Sequence, residues 1–473
     1  MKKYPQLKRV YDFSKFEKNG KQLIQQLSDY LQQEQFPESK ANNWQSPDKE
    51  WDYWHNYQFE DLNSFVDDLL NHSIHLHNPK YMGHQVSVPA PLSILTNLIS
   101  GLLNNGMAVY EMGQAATAIE KCVVELFCEK VGYDNHSNGI MTSGGTLANL
   151  TALLAARQAL KDSDIWRQGC EQKLAVLVSS QAHYSVDRAA RVMGFGNDGI
   201  VLVPVNTNFA MDYQALKNSY KQTVDAGFKV IAIVGSACST ATGIYDDLEH
   251  IGDFCQLHDI WFHVDGAHGG AAVFSEKHKH LLKGMEKADS IIIDTHKMMM
   301  TPALSTVVLY KDKVKGSHTF HQKAQYLFED KGYDDQWYNS GLRTFECTKF
   351  MMSLKFYVLW KTYGIKVFEE NIDCLYGLGK HFARLVKQHP DFELALEPQT
   401  NIVCFRYIKQ GLNVQQLNEL NKTIRQAVLE DSEFYIVQAV LNETVYLRVT
   451  LMNPMTNVNH LQKLLETILK TVC

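Results

Sequence analysis

Four polar features of this chain stand where short apolar runs end, and each is of a type that does chemistry. Thr142-Ser143-Gly144-Gly145-Thr146 comes immediately before the helical run Leu147 to Ala156. Paired glycines let the chain bend so that successive N–H groups and a helix N-terminus converge on an anion, a geometry that suits a phosphate. A plain turn with a cap from Ser143 or Thr146 would read the same way. His183 follows the run Leu174 to Ser179. Its imidazole is flat enough to stack on a ring and can donate a hydrogen bond to a carboxylate, although a satisfied structural histidine is the equal alternative. Asp265 closes Trp261-Phe262-His263-Val264 and precedes Gly266-Ala267-His268-Gly269-Gly270. A carboxylate there can hold a heteroaromatic nitrogen protonated, with small residues leaving room for the ring, or it can cap the next helix. Lys297 ends Ser290-Ile291-Ile292-Ile293-Asp294-Thr295-His296-Lys297. A lysine at the mouth of a buried strand is partly desolvated, which favours the neutral amine that attacks carbonyls. An isolated lysine is ordinarily a solvated surface residue. This one has a buried strand behind it, His296 beside it and Asp265 earlier in the same set of strands.

Taken in chain order, the phosphate turn, the stacking histidine, the strand-end acid and the strand-end lysine meet separate demands of one cofactor, pyridoxal 5'-phosphate. Its protonated ring is an electron sink, its aldehyde needs an amine and its phosphate needs a cradle.

The elements that would position these groups are legible as short Val- and Ile-rich runs alternating with helical patterns. The runs are Leu174 to Ser179, Gly199 to Val205, Val230 to Val234, Trp261 to Val264, Ser290 to Ile293 and Thr306 to Tyr310. Continuous rather than alternating apolar runs indicate strands covered on both faces, hence an α/β fold with a mainly parallel sheet flanked by helices. Ligands of such sheets sit beyond the carboxyl ends of the strands, where these four features fall. Residues 1–85 read as an N-terminal helical arm and 86–345 as the large cofactor-binding domain. Residues 346–473 read as a small α+β domain, with a long helix over Lys349 to Tyr363 and antiparallel strands near Asn401 to Tyr407 and Thr444 to Leu451.

The 473 residues are 45% hydrophobic and 21% charged, the profile of a globular enzyme. A formal charge of -6 without a basic block excludes the footprint of a nucleic-acid binder. The start of the chain carries no signal-like apolar stretch, and Pro91 to Leu103 is too short to span a bilayer, so a cytoplasmic location without membrane association is expected. Nine irregularly spaced cysteines without a C-x-x-C pair read as reduced core residues, and no metal site is expected.

From about Pro79 to Pro454, through TSGGTLANLTALLAAR, HYSVDRAARVMGFG, HVDGAHGG and ADSIIIDTHKM, the chain resembles the group II pyridoxal-phosphate-dependent amino-acid decarboxylases. These include the glutamate, cysteine-sulfinate, aromatic amino-acid and diaminobutyrate enzymes. The resemblance implies the aspartate-aminotransferase-like fold (fold type I) and a homodimer with active sites at the subunit interface. By matching position it implies Gly145 and Thr146 at the phosphate, Thr240 near the ring and Asp294, where the family often has Asn, near the phosphate. It also implies Tyr326 as the proton donor on a mobile loop and Arg448 as partner of the substrate α-carboxylate. Without the resemblance, Tyr326 reads as an exposed loop aromatic and Arg448 as a solvated residue on an alternating strand. Gln85 and Ser87 match a region that touches the substrate side chain in the acidic branch, and His268 replaces a bulky aromatic.

The expected reaction is α-decarboxylation of an L-amino acid to its amine and CO2. An acidic substrate (glutamate, aspartate or cysteine sulfinate) is favoured because HKHLLKGMEKADS and QYLFEDKGYDD look most like that branch. Diaminobutyrate or aromatic substrates, transamination, aldehyde-forming oxidative decarboxylation and a non-catalytic binding protein of the same fold are the competing expectations.

Overall fold

The computed structural model describes residues 4–160, 165–320 and 336–472, which divide into two compact units. Gln85–Phe405 forms one, and Met1–His84 together with Arg406–Cys473 forms the other.

The larger unit is built on seven strands: β1 (Asn138–Thr142), β2 (Leu174–Ser179), β3 (Ile200–Val203), β4 (Lys229–Ser236), β5 (Trp261–Asp265), β6 (Ser290–Asp294) and β7 (Thr306–Tyr310). Their order is β1-β7-β6-β5-β4-β2-β3. The pairs β2/β3, β2/β4, β4/β5 and β5/β6 are parallel, while β7 runs antiparallel to both β1 and β6. The mainly parallel sheet expected from the continuous apolar runs is the one observed, with one reversed strand. The reversal follows from connection length, since β6 reaches β7 without a crossover helix and a short return permits only an antiparallel neighbour.

The helix Gly145–Gln158 lies against the sheet and buries Ala148, Ala152, Leu153, Ala155 and Ala156 in a core with Ile140, Val176, Ile231, Val234, Ile292 and Val308. Alanine on that face brings the helix axis close to the strands, and this closeness lets a side chain of the helix reach polar groups on β5.

In the smaller unit, β10 (Val437–Leu441) pairs antiparallel with β11 (Thr444–Thr450), while the short strand β8 (Phe392–Leu394) belongs to the larger unit and β9 (Ile402–Tyr407) runs through the boundary at Phe405. Helices Pro5–Val10, Phe16–Gln33, Pro47–His55, Leu62–Asn71, Val414–Asp431 and Val458–Val472 belong to the same unit. Its N- and C-terminal segments are laced together. The Met82 N–H donates to the Tyr435 carbonyl at 2.9 Å, the Thr450 N–H donates to the Met82 carbonyl at 2.9 Å, and the Tyr81 and Tyr435 rings stack with centroids 5.2 Å apart. No helix among the described residues is long and apolar enough to cross a membrane.

Candidate active site

The glycine turn after β1 leads directly into the N-terminus of the helix Gly145–Gln158. Gly144 holds φ 106° and ψ 159°, a conformation essentially confined to glycine. Gly145 is close-packed rather than strained: a Cβ there would sit 3.3 and 3.4 Å from the two Asp294 carboxylate oxygens and would crowd that side chain. Gly144→Ala is accordingly expected to lower stability by about 1–3 kcal/mol in urea unfolding of the cofactor-free protein.

Asp265 and Asp294 end the neighbouring parallel strands β5 and β6. Lys297 folds back so that its Nζ lies 3.0 Å from Asp294 Oδ2, with the carboxylate side chain 2% exposed and the lysine 19%. The Thr306 hydroxyl donates to Asp294 Oδ1 at 2.5 Å, and His296 Nε2 stands 3.7 Å from Oδ2. Burial pushes the Asp294 pKa up, but the charges of Lys297 and His296 and the Thr306 hydrogen bond outweigh it and hold the carboxyl below its ordinary range. Asp294, assigned by resemblance to the phosphate, thus makes its closest ion pair with the lysine.

Asp265 is 8% exposed. Its Oδ1 accepts the Ala267 N–H at 3.1 Å and its Oδ2 accepts Asn149 Nδ2 at 2.9 Å. Asn149 is a buried amide on the helix behind the glycine turn. It also donates to Ser185 Oγ at 2.8 Å, which lies 2.8 Å from His183 Nδ1. His183 caps the helix Tyr184–Val192 by accepting the Ser185 N–H on that nitrogen. Burial lowers the His183 pKa, Lys297 and Arg188 add to the effect, and Asp265 and Asp294 offset it in part.

The structure therefore brings Gly145, His183, Asp265, Asp294, His296 and Lys297 together at the carboxyl ends of the central strands. Thr146 is exposed on the first turn of the helix, and Thr240 is half-buried in the turn after β4. Ser87 is 2% exposed, and its backbone N–H donates to the His296 carbonyl at 3.3 Å. Ser87 Oγ and Gln85 Nε2 are buried with no hydrogen-bond partner among the described residues. His268 is buried, with Nε2 2.8 Å from Asn401 Oδ1. Arg448 is buried on β11 of the smaller unit, and Tyr326 lies outside the described residues.

Asn149, Ser185, His263 and Thr306 were not foreseen. A signal for two of them was present: an amide inside the apolar helical run LANLTALLAA, and a histidine two places before Asp265 on a buried strand, hence on the same face.

These residues fit pyridoxal phosphate. The helix N-terminus and the glycine turn offer backbone N–H groups to a phosphate. The Asp265 carboxylate keeps acceptor capacity beyond its two observed donors, which a ring N–H would fill.

Residues 40–408 match the family described as the pyridoxal-dependent decarboxylase conserved domain. An L-aspartate decarboxylase of Metarhizium robertsii is 30% identical over 370 residues, covering 78% of this chain and 74% of that protein. An aromatic-L-amino-acid decarboxylase of Bacillus atrophaeus is 28% identical, covering 85% of this chain and 82% of that protein. Among solved structures, the glutamate decarboxylase domain of a Vibrio parahaemolyticus diaminobutyrate-pyruvate transaminase and L-2,4-diaminobutyrate decarboxylase superposes with a TM-score of 0.85 at 26% identity, covering 98% of this chain and 96% of that one.

Proposed function

We propose, from the premise that this chain belongs to the pyridoxal-dependent decarboxylase family and is a pyridoxal-phosphate-dependent amino-acid decarboxylase, that its substrate is an acidic L-amino acid. The observation that carries the catalytic reading is the Lys297 amine held 3.0 Å from Asp294 at the end of the strand next to Asp265. The cofactor, when bound, supplies an electron sink for the pair released as CO2 leaves. The chain's own residues do the rest. Gly145 and Thr146 bind the phosphate with backbone N–H groups, His183 packs against the ring face, and Asp265 accepts from the ring nitrogen and so keeps its proton in place. Lys297 provides the amine that attaches the cofactor, with Asp294 and His296 orienting it. Tyr326 is assigned the delivery of a proton to Cα.

The substrate class is supported by the resemblance to the acidic branch and by the similarity to an aspartate decarboxylase. It also fits Gln85 and Ser87, whose buried, unpartnered side-chain groups are donors of the kind a second carboxylate accepts. A CO2-release assay of the holoenzyme against a panel of L-amino acids tests it. Glutamate, aspartate or cysteine sulfinate should exceed aromatic and diamino substrates in kcat/KM by at least about a hundredfold, because a site built around hydrogen bonds to one group strongly rejects analogues that lack it. Reaction with aromatic or diamino substrates alone would overturn the substrate assignment.

The enzyme is further proposed to act as a homodimer with shared active sites. The helix Pro91–Leu103 buries Ser93, Thr96 and Ser100 and leaves Leu95, Leu98, Ile99 and Leu102 exposed, the last by 72%. An apolar stripe on the outer face of a helix marks an association surface. Sedimentation should give about twice the 53.9 kDa chain mass. The paired change Leu98→Asp and Leu102→Asp should shift the protein to monomer, and an unshifted dimer would remove this helix from the interface.

A further inference from the structure

Behind the candidate site a line of buried polar side chains crosses from the core of the sheet to His183. On β5, Trp261, His263 and Asp265 share one face. Ser290 stands opposite His263 in register on β6, and Asn149 descends from the helix above. Trp261 Nε1 donates to Ser290 Oγ at 2.8 Å. Ser290 Oγ lies 2.8 Å from His263 Nδ1, and His263 Nε2 lies 2.9 Å from Asn149 Oδ1. Asn149 Nδ2 then serves both Asp265 Oδ2 at 2.9 Å and Ser185 Oγ at 2.8 Å, and Ser185 Oγ meets His183 Nδ1 at 2.8 Å.

The donor and acceptor roles along this line can be assigned without observing a proton. An ionised carboxylate only accepts, so the amide nitrogen of Asn149 faces Asp265 and its oxygen faces His263. That oxygen only accepts, so His263 carries its proton on Nε2. Burial drives the His263 pKa down to about 4 against the pull of Asp265 and of a backbone hydrogen bond at Ser290, so the ring is neutral; with its one proton on Nε2, Nδ1 accepts the Ser290 hydroxyl. The Ser290 oxygen in turn receives the Trp261 N–H. At the other end, the Ser185 oxygen receives an Asn149 hydrogen, which leaves its own hydroxyl hydrogen for His183 Nδ1. That nitrogen already accepts the Ser185 backbone N–H at 3.2 Å, so the His183 proton resides on Nε2, which makes no hydrogen bond among the described residues. Every donor in the line points the same way, from Trp261 toward His183, with a branch into Asp265.

We propose that Asn149 is a positioning residue whose two amide hydrogens hold Asp265 as an anion and, through Ser185, fix His183 as its Nε2–H tautomer, presenting an N–H donor toward the bound cofactor and substrate. The proposal rests on the reading that Lys297 carries the cofactor. Asparagine is the side chain that fits: a hydroxyl offers one hydrogen where two are used, and a carboxylate offers none.

The test begins with cofactor-free protein labelled with 15N-histidine, the His183 signals being assigned by their loss in His183→Asn. Wild type should show an acceptor Nδ1 and a protonated Nε2. The Ser185 backbone N–H remains in Ser185→Ala and Asn149→Ser, so both should still favour the Nε2–H form but show a measurable admixture of the Nδ1–H tautomer that wild type lacks. In the loaded enzyme the same two variants should keep KM within about twofold and lose roughly ten- to a hundredfold in kcat, the scale set by misplacing a catalytic group. The acid limb of kcat/KM should also move up by about half a unit to one unit in Ser185→Ala, because the lost hydroxyl had stabilised the neutral ring. The groups facing His183 (Asp265, Asp294, Lys297 and Arg188) are unchanged in both variants. Wild-type tautomer signals in both variants would overturn the proposal whatever the activity. Failure of borohydride to fix a pyridoxyl group on Lys297 of the wild type would instead overturn the cofactor reading, and the tautomer result would still decide the role of Asn149 in the hydrogen-bond line.

Discussion

Lys297→Ala is expected to lower CO2 release by at least about a thousandfold and to leave no covalently held cofactor, since it removes the amine that attaches the cofactor. The same change has a second effect that a mere loss of contact would not produce. Asp294 is buried and kept ionised chiefly by the Lys297 charge, so without the lysine its burial is opposed only by His296 and Thr306. In the wild type a depressed Asp294 pKa contributes stability that is present above its unfolded pKa and lost as the pH falls through its folded pKa. In the variant burial dominates and the folded pKa rises, so destabilisation is greatest at neutral pH and eases as the pH is lowered. Melting of cofactor-free wild type and variant from pH 7.5 down to 5 should therefore show a narrowing difference. A difference that is constant with pH would mean that burial does not lift the Asp294 pKa into this range when the Lys297 charge is gone.

Asp265→Asn is expected to separate cofactor attachment from catalysis. The amide matches the carboxylate in shape and can still accept from Asn149, but it then turns its NH2 toward the Ala267 N–H and toward the ring nitrogen, donor against donor. With no anion to keep the ring nitrogen protonated, the rate should fall by about a hundred- to ten-thousandfold. Borohydride should still mark Lys297, because the amine is untouched. Wild-type turnover in this variant would remove Asp265 from the mechanism.

The sheet was readable because a strand covered on both faces must be apolar throughout. Four of the seven strands, Leu174–Ser179, Trp261–Asp265, Ser290–Asp294 and Thr306–Tyr310, are wholly buried. Strand Asn138–Thr142 escaped notice because it is short and contains Gly139, whose place in the sheet is explained only by the strand beside it: a Cβ there would meet the Val308 carbonyl at 2.3 Å. The reversed direction of Thr306–Tyr310 was equally out of reach, because run composition does not encode orientation. At the site, residues that end strands were found because position and side-chain type coincide. Asn149 and Ser185 were passed over because they lie inside helices, where a polar residue reads as solvent-facing until the tertiary fold places it against another polar group. The Lys297–Asp294 pair was missed for a related reason, since the i,i+3 spacing is plain in the sequence but the backbone turn that brings the two groups within 3.0 Å is not.

On the proposed function, one amine on this chain, that of Lys297, holds the cofactor. Native protein incubated with pyridoxal phosphate, reduced with borohydride and digested should yield one pyridoxylated peptide by mass spectrometry, with the added mass on Lys297, and none from Lys297→Ala. Label on another lysine, or none on this peptide while the protein still releases CO2 from amino acids, would contradict the account.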